Sequence, residues 1–181
     1  MIGRARWALA PYAPAAPFRL YPGPGDRPPI TVADATVLRR AAQRGGDAEI
    51  TVLTTAKVRP VLVIADAGAS FEDPAILALR LVRFSKLDPV EQNATRQGQA
   101  PRLVHLRPER FPGLPEENAA LITDLVRIAH SALDPSDELG GLDANELRAV
   151  HERLVRYYKF DLTLLVRQTL EDRLRRAREH P

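Results

Sequence analysis

The sequence predicts an α+β protein, and three observations carry that class. Val61 to Ile64 is a wholly apolar run, too short for a stable helix, set between a proline and an acid, so it reads as a strand buried on both faces. Near the other end, Leu147, Val150, Leu154 and Tyr157 recur at three- and four-residue steps, an amphipathic helix capped by Asp143 or Asn145. Between these lie short apolar segments punctuated by proline and glycine, as in a small sheet with tight connections. A chain of 181 residues suits one domain with a real core.

Taken in order, residues 11 to 29 hold seven of the sixteen prolines together with Gly23 and Gly25. That composition excludes regular helix and central strand, and predicts an extended arm over the surface. Ile30 to Arg44 reads as a short helix, with Thr31 or Asp34 as cap, Val37, Leu38 and Ala41 on one face, and Gly45-Gly46 as the stop. Glu49 to Leu53 reads as a strand, joined by a tight Thr-Thr-Ala-Lys turn to the strand at 58–66. Pro60 fits only the start of that strand, since it gives the ladder no donor and pushes Arg59 to extended geometry. The guanidinium of Arg59 is thereby held at the strand mouth, where it can grip a phosphate through two parallel hydrogen bonds.

Beyond Asp73-Pro74, the apolar positions Ile76, Leu77, Leu79, Leu81 and Val82 suit helix or strand by periodicity. Asp88 to Pro101 is polar and reads as a loop, Arg102 to Leu106 as a short strand, and Pro108 to Pro115 as turns. In Ala120 to Leu133 the residues Leu121, Leu125, Ile128 and Ala129 keep helical spacing. After Tyr157, Phe160, Leu162, Leu164 and Val166 alternate with polar residues, which suits an extra strand. The leucine content and lack of glycine or proline favour one helix from about 143 to 178. Such a helix outruns a small domain, so its far end predicts an interface with a partner or a second copy.

Composition excludes several classes. No apolar run approaches the ~20 residues of a membrane span, and no secretory signal opens the chain, so a cytoplasmic protein without membrane contact is expected. With no cysteine and histidines at 105, 130, 151 and 180, a zinc site is not expected. Neither a phosphate loop nor a dinucleotide fingerprint nor a nucleophile elbow is present, and no cofactor is expected. The formal charge of +3 permits contact with a phosphate backbone without demanding it.

The segment Lys57-Val-Arg-Pro-Val-Leu-Val-Ile-Ala-Asp66 resembles the arginine-proline-aliphatic strand of the PemK/MazF family of toxin endoribonucleases. Gly3 to Tyr12 looks like that family's opening strand, Ala120 to Ile128 like its segment of aspartate, glutamine, aliphatic and basic residues, and Leu142 to Val150 like its closing helix. The resemblance implies a small SH3-like antiparallel β-barrel over residues 1–142 with a proline-rich insertion at 10–48, followed by a C-terminal helix and interface tail at 143–181. It tips Leu79 to Phe84 to strand, and Ala120 to Leu133 to a helical turn running into a strand.

For chemistry, the resemblance implies metal-independent cleavage of single-stranded RNA, a homodimer, and an antitoxin segment lying across the Arg59 groove. Arg59 matches the family's arginine, Ser85 its hydroxyl residue at a strand end, and Asp124 the aspartate of its aspartate-glutamine pair. Lys57, Lys86 and Arg127 stand where basic residues would contact RNA. Three positions depart from the pattern: Leu125 replaces the glutamine, Ile122 a catalytic arginine, and Thr54 an acidic residue five positions before Arg59. The general base is then left to His105, His130 or His151, whose ordinary pKa suits the task. These departures keep an alternative open, a catalytically degenerate barrel that binds protein or nucleic acid as an assembly module.

Overall fold

The computed structural model describes residues 1–12, 18–21, 30–32, 51–66 and 74–159. They group into two compact units, one of Met1–Trp7 with the chain from Pro60 onward, the other of Ala8–Arg59. The described strands are β1 (Arg4–Pro11), β2 (Phe18–Tyr21), β3 (Ile30–Val32), β4 (Thr51–Leu53), β5 (Ala56–Asp66), β6 (Ala75–Arg83), β7 (Leu103–Leu106), β8 (Asn118–Ala129) and β9 (Leu133–Gly141). The helices are α1 (Pro89–Arg96) and α2 (Ala144–Tyr158), so the α+β class holds.

In the first unit six strands form a sheet in the order β7-β8-β6-β5-β1-β9, with antiparallel pairs at β5/β6, β6/β8 and β7/β8. This is an open sheet and corrects the expected closed barrel. Closure would need β7 and β9 to pair, and each stands at an edge of the order.

The aliphatic run of β5 lies in the middle of that sheet. Val61, Leu62 and Val63 have no exposed surface, and Ile64 keeps 3%. Successive side chains point to opposite faces, so burial of all four requires cover on both. Leu62 and Ile64 join Leu79, Ile122, Leu106, Phe111 and Leu139 in a core that α2 closes with Val150 and Leu154. Leu154, expected in an interface tail covered by a partner or second copy, is buried against its own unit.

Strand β8 corrects the reading of Ala120 to Leu133, which is strand up to Ala129 with a short 3-10 turn only at His130–Ala132. Its register explains the false helical spacing. Leu79 pairs with Leu125 but Leu81 pairs with Ala120, so Arg80 alone faces four residues of β8 across a bulge. The extra length swings toward β7, where Leu121 pairs with Leu103 and the Ile122 amide donates to the Arg102 carbonyl at 2.9 Å.

The polar segment 88–101, expected as a loop, contains α1. Asp88 caps it by accepting from the Glu91 amide at 2.9 Å, and Pro89 occupies the first helical position, where its missing donor costs nothing. Gln92 ties the helix down by donating to the carbonyls of Phe84 and Leu87 at 2.9 and 3.0 Å.

Helix α2 opens as expected at Asp143, in a reciprocal capping box with Glu146. Arg110 adds a bond to Asp143 at 2.6 Å, and Arg107 pairs with Glu146. It does not run unbroken to 178. Lys159 takes left-handed backbone, φ 53°, and ends the helix after Tyr158; residues 160–181 lie outside the described set. Before α2, Gly140 sits at φ +126°, where a Cβ would meet the Arg110 carbonyl oxygen at 2.3 Å and the Phe111 Cα at 2.4 Å. Only glycine fits there.

In the second unit β2 is the centre of a three-stranded sheet, β3-β2-β4, with Leu20 opposite both Ile30 and Val52. This corrects two expectations. The window Phe18 to Tyr21 is free of proline between Pro17 and Pro22, which is enough for a short central strand inside the supposed arm. Ile30 to Val32, expected to begin a helix, is strand, and the rest of that expected helix, 33–44, lies outside the described residues.

Candidate functional site

Arg59 and Lys57 lie two residues apart on β5, so they share one face of the strand, while Val58 between them points away and is 69% exposed. What they converge on is Tyr12, just past the end of β1. Arg59 Nη2 donates to Tyr12 Oη at 2.7 Å, with the guanidinium carbon 5.1 Å from the ring centroid. Lys57 Nζ lies 5.8 Å from the same centroid. Both are cation–π contacts as well as charge neighbours.

The backbone fixes the tyrosine in place. Its amide donates to the Thr55 carbonyl at 2.9 Å, and its carbonyl accepts from Thr54 Oγ1 at 2.8 Å. Thr54, where the resemblance wanted an acid, thus acts as a clamp on Tyr12. A hydrogen bond from Lys57 holds the phenol below its ordinary pKa against the opposing effect of burial, and Arg59 adds a second hydrogen bond and its charge.

The other expected site residues belong to the first unit, where each has its own neighbours. Ser85 lies in the turn after β6 and donates to Glu116 Oε2 at 2.8 Å, while Arg83 Nε reaches Glu116 Oε1 at 3.2 Å. Lys86 follows it and is exposed. Asp124 sits in the β8 bulge and pairs with Arg80, which faces it from β6. Arg127 is exposed on β8 opposite Leu77, beyond the bulge that holds Asp124. Ser85 and Asp124 are not brought together: Arg80 and the strand end at Arg83 are three residues apart, ~10 Å of strand, and each acidic group already holds an arginine.

The three histidines separate in the same way. His105 Nε2 bonds Glu117 Oε1 at 2.7 Å, and His151 Nε2 bonds the Ile64 carbonyl at 2.8 Å. His130 lines a cavity of about 370 Å³ with Met1, Arg6, Ser131, Leu133 and Asp134.

Sequence reasoning missed two groups. One is Tyr12 itself, whose only signal was an aromatic at the end of the opening segment. The other surrounds Glu117, which accepts from Arg96 Nε at 3.0 Å and from Nη2 at 2.5 Å in addition to His105. Phe84 completes it, with its ring 5.1 Å from that of His105 and 4.9 Å from the Arg96 guanidinium. The Arg96 hydrogen bonds hold the Glu117 carboxyl below its ordinary pKa despite partial burial, with His105 contributing further. Its members lie on α1, β7, the start of β8 and the turn after β6, which it staples together.

Comparison of the chain with protein-family models and with curated proteins finds no match.

Proposed function

We propose that this chain is an endoribonuclease of PemK/MazF type, cutting single-stranded RNA without metal and held in check by an antitoxin. The observation that carries the reading is Arg59, which lies inside β5 and not at its expected start, next to Pro60 and just before the buried run, with Lys57 on the same face and no carboxylate paired with either among the described residues. An arginine so placed is free to stabilise the charge of a pentacoordinate phosphorus, the step that RNA cleavage through the 2'-hydroxyl most needs. The proposal includes a fold derived from the SH3-like barrel of that family but left open at β7 and β9, and a homodimer. An antitoxin segment would lie over Arg59. Ser85, Lys86 and Arg127 would hold the RNA strand.

A second reading, a binding module without catalysis, is favoured by one observation. Asp124 is paired with Arg80, so its carboxylate is engaged within its own sheet.

Incubation of the purified protein with a mixed single-stranded RNA in the presence of chelator decides between them. Fragments ending in a 2',3'-cyclic phosphate, lost in Arg59→Ala, support the enzyme. Tight RNA or protein binding with intact RNA supports the module.

A further inference from the structure

We propose that Tyr12 is the general acid of this site, giving its phenolic proton to the 5'-oxygen that leaves when the RNA strand is cut. The inference rests on the endoribonuclease reading and fills a role that Ile122, Leu125 and Thr54 leave vacant. Three features of the structure assign the role to this residue. Its hydroxyl lies 2.7 Å from the arginine that would hold the phosphate. Its main chain is clamped at the amide by the Thr55 carbonyl and at the carbonyl by the Thr54 hydroxyl, which holds the point from which the ring projects. Two of the side chains against its ring, Lys57 and Arg59, carry positive charge that attracts a developing phenolate.

The step balances as follows. The 2'-hydroxyl loses its proton to water, the 2'-oxygen forms a bond to phosphorus, and the bond from phosphorus to the 5'-oxygen breaks. The electron pair left on that oxygen takes the Tyr12 proton. The products are a 2',3'-cyclic phosphate, a 5'-hydroxyl and a phenolate, which water reprotonates. Negative charge grows on Tyr12 only as the bond breaks, and Lys57 and Arg59 are already in place beside it, so their attraction is stronger in the transition state than before it. Hydrogen bonds that hold the phenol below its ordinary pKa also make it the better acid.

Two oligoribonucleotides of one sequence test this, one natural and one with sulfur in place of the leaving 5'-oxygen, because a thiolate leaves without a proton. Tyr12→Phe is expected to slow cleavage of the natural strand by about a hundredfold or more and to cut the sulfur strand at close to the parent rate. The parent's basic pH limb should vanish in Tyr12→Phe. Ultraviolet titration, taken as the difference between parent and Tyr12→Phe, should show the phenol ionising at higher pH once Arg59→Ala is introduced. Equal slowing on both strands, or none on either, would overturn the acid role. So would loss of the leaving-group difference in Lys57→Ala rather than in Tyr12→Phe, which would make the ammonium the donor. A parent protein that cuts neither strand would overturn the endoribonuclease reading itself, and this inference with it.

Discussion

Two clusters in this protein use the same parts to opposite ends. Around Tyr12, two cations meet one neutral aromatic and keep their charge. Around Phe84, Arg96 meets an aromatic too, but Glu117 neutralises it and bonds His105 as well. Among the described residues the first pairs its cations with no carboxylate, and the second pairs Arg96 with Glu117. Two like charges side by side repel each other, a cost that a bound anion would relieve. A neutralised cluster needs no ligand to explain it.

That contrast can be broken or sharpened by mutation. The largest effect should come from the buried run of β5: Val63→Asp places a carboxylate where no surface is exposed and should unfold the first unit, seen as loss of its cooperative melting transition. A folded Val63→Asp protein would break the assignment of β5 as buried on both faces. Next, Arg59→Ala should lower RNA cleavage by about a hundredfold or more with little change in Tm, and Arg59→Lys should rescue poorly because a point charge lacks the two-pronged grip. A drop in Tm like that of a core mutant would make Arg59 structural, and the contrast would fail.

Glu117→Gln should do the reverse, costing about 1 kcal/mol of stability at neutral pH without touching RNA chemistry. Its sign with pH follows from the lowered carboxyl pKa: the ionised form is favoured by folding, so its contribution is full above the ordinary carboxylate range and lost as pH falls through the folded value. Urea denaturation of both proteins from neutral to acid pH should therefore show the difference between them shrink as pH falls. A gap that widened toward acid would refute the pairing. The smallest effect belongs to Lys57→Ala, which should reduce the dependence of RNA affinity on salt by about one counterion in the log–log slope. An unchanged slope would place Lys57 outside the RNA contact.

How far each cluster and element was legible depended on the range of the interactions that make it. Strand β5 was legible because an unbroken aliphatic run after a proline has one economical conformation. The start of α2 was legible because its capping box is local, four residues from Asp143 to Glu146. Its end was hidden, since the left-handed position falls on Lys159 and not on glycine or asparagine. Helix α1 escaped notice because it buries little beyond Thr95, leaving no apolar stripe, although Asp88-Pro89 was a sound start signal. In β8 the bulge opposite Arg80 put leucines at helical intervals by accident. Of the site, Arg59 was legible through its proline, whereas Tyr12 was not, because the bond that gives it meaning spans 47 residues. Asp124 was found by residue type and then claimed by Arg80, a partner that only the register reveals.

The place of β1 in the sheet bears on how the protein is made. It is the earliest of the nine described strands to leave the ribosome, yet it lies between β5 and β9, and Arg6 bonds the Pro135 carbonyl 129 residues downstream. During synthesis β5 is available once Asp66 has been made, but β9 not before Gly141. The sheet therefore cannot be completed from its beginning, and its last seam closes only after β9 has emerged. If the chain is the nuclease proposed above, a nascent fragment lacks a finished scaffold until β9 has been made.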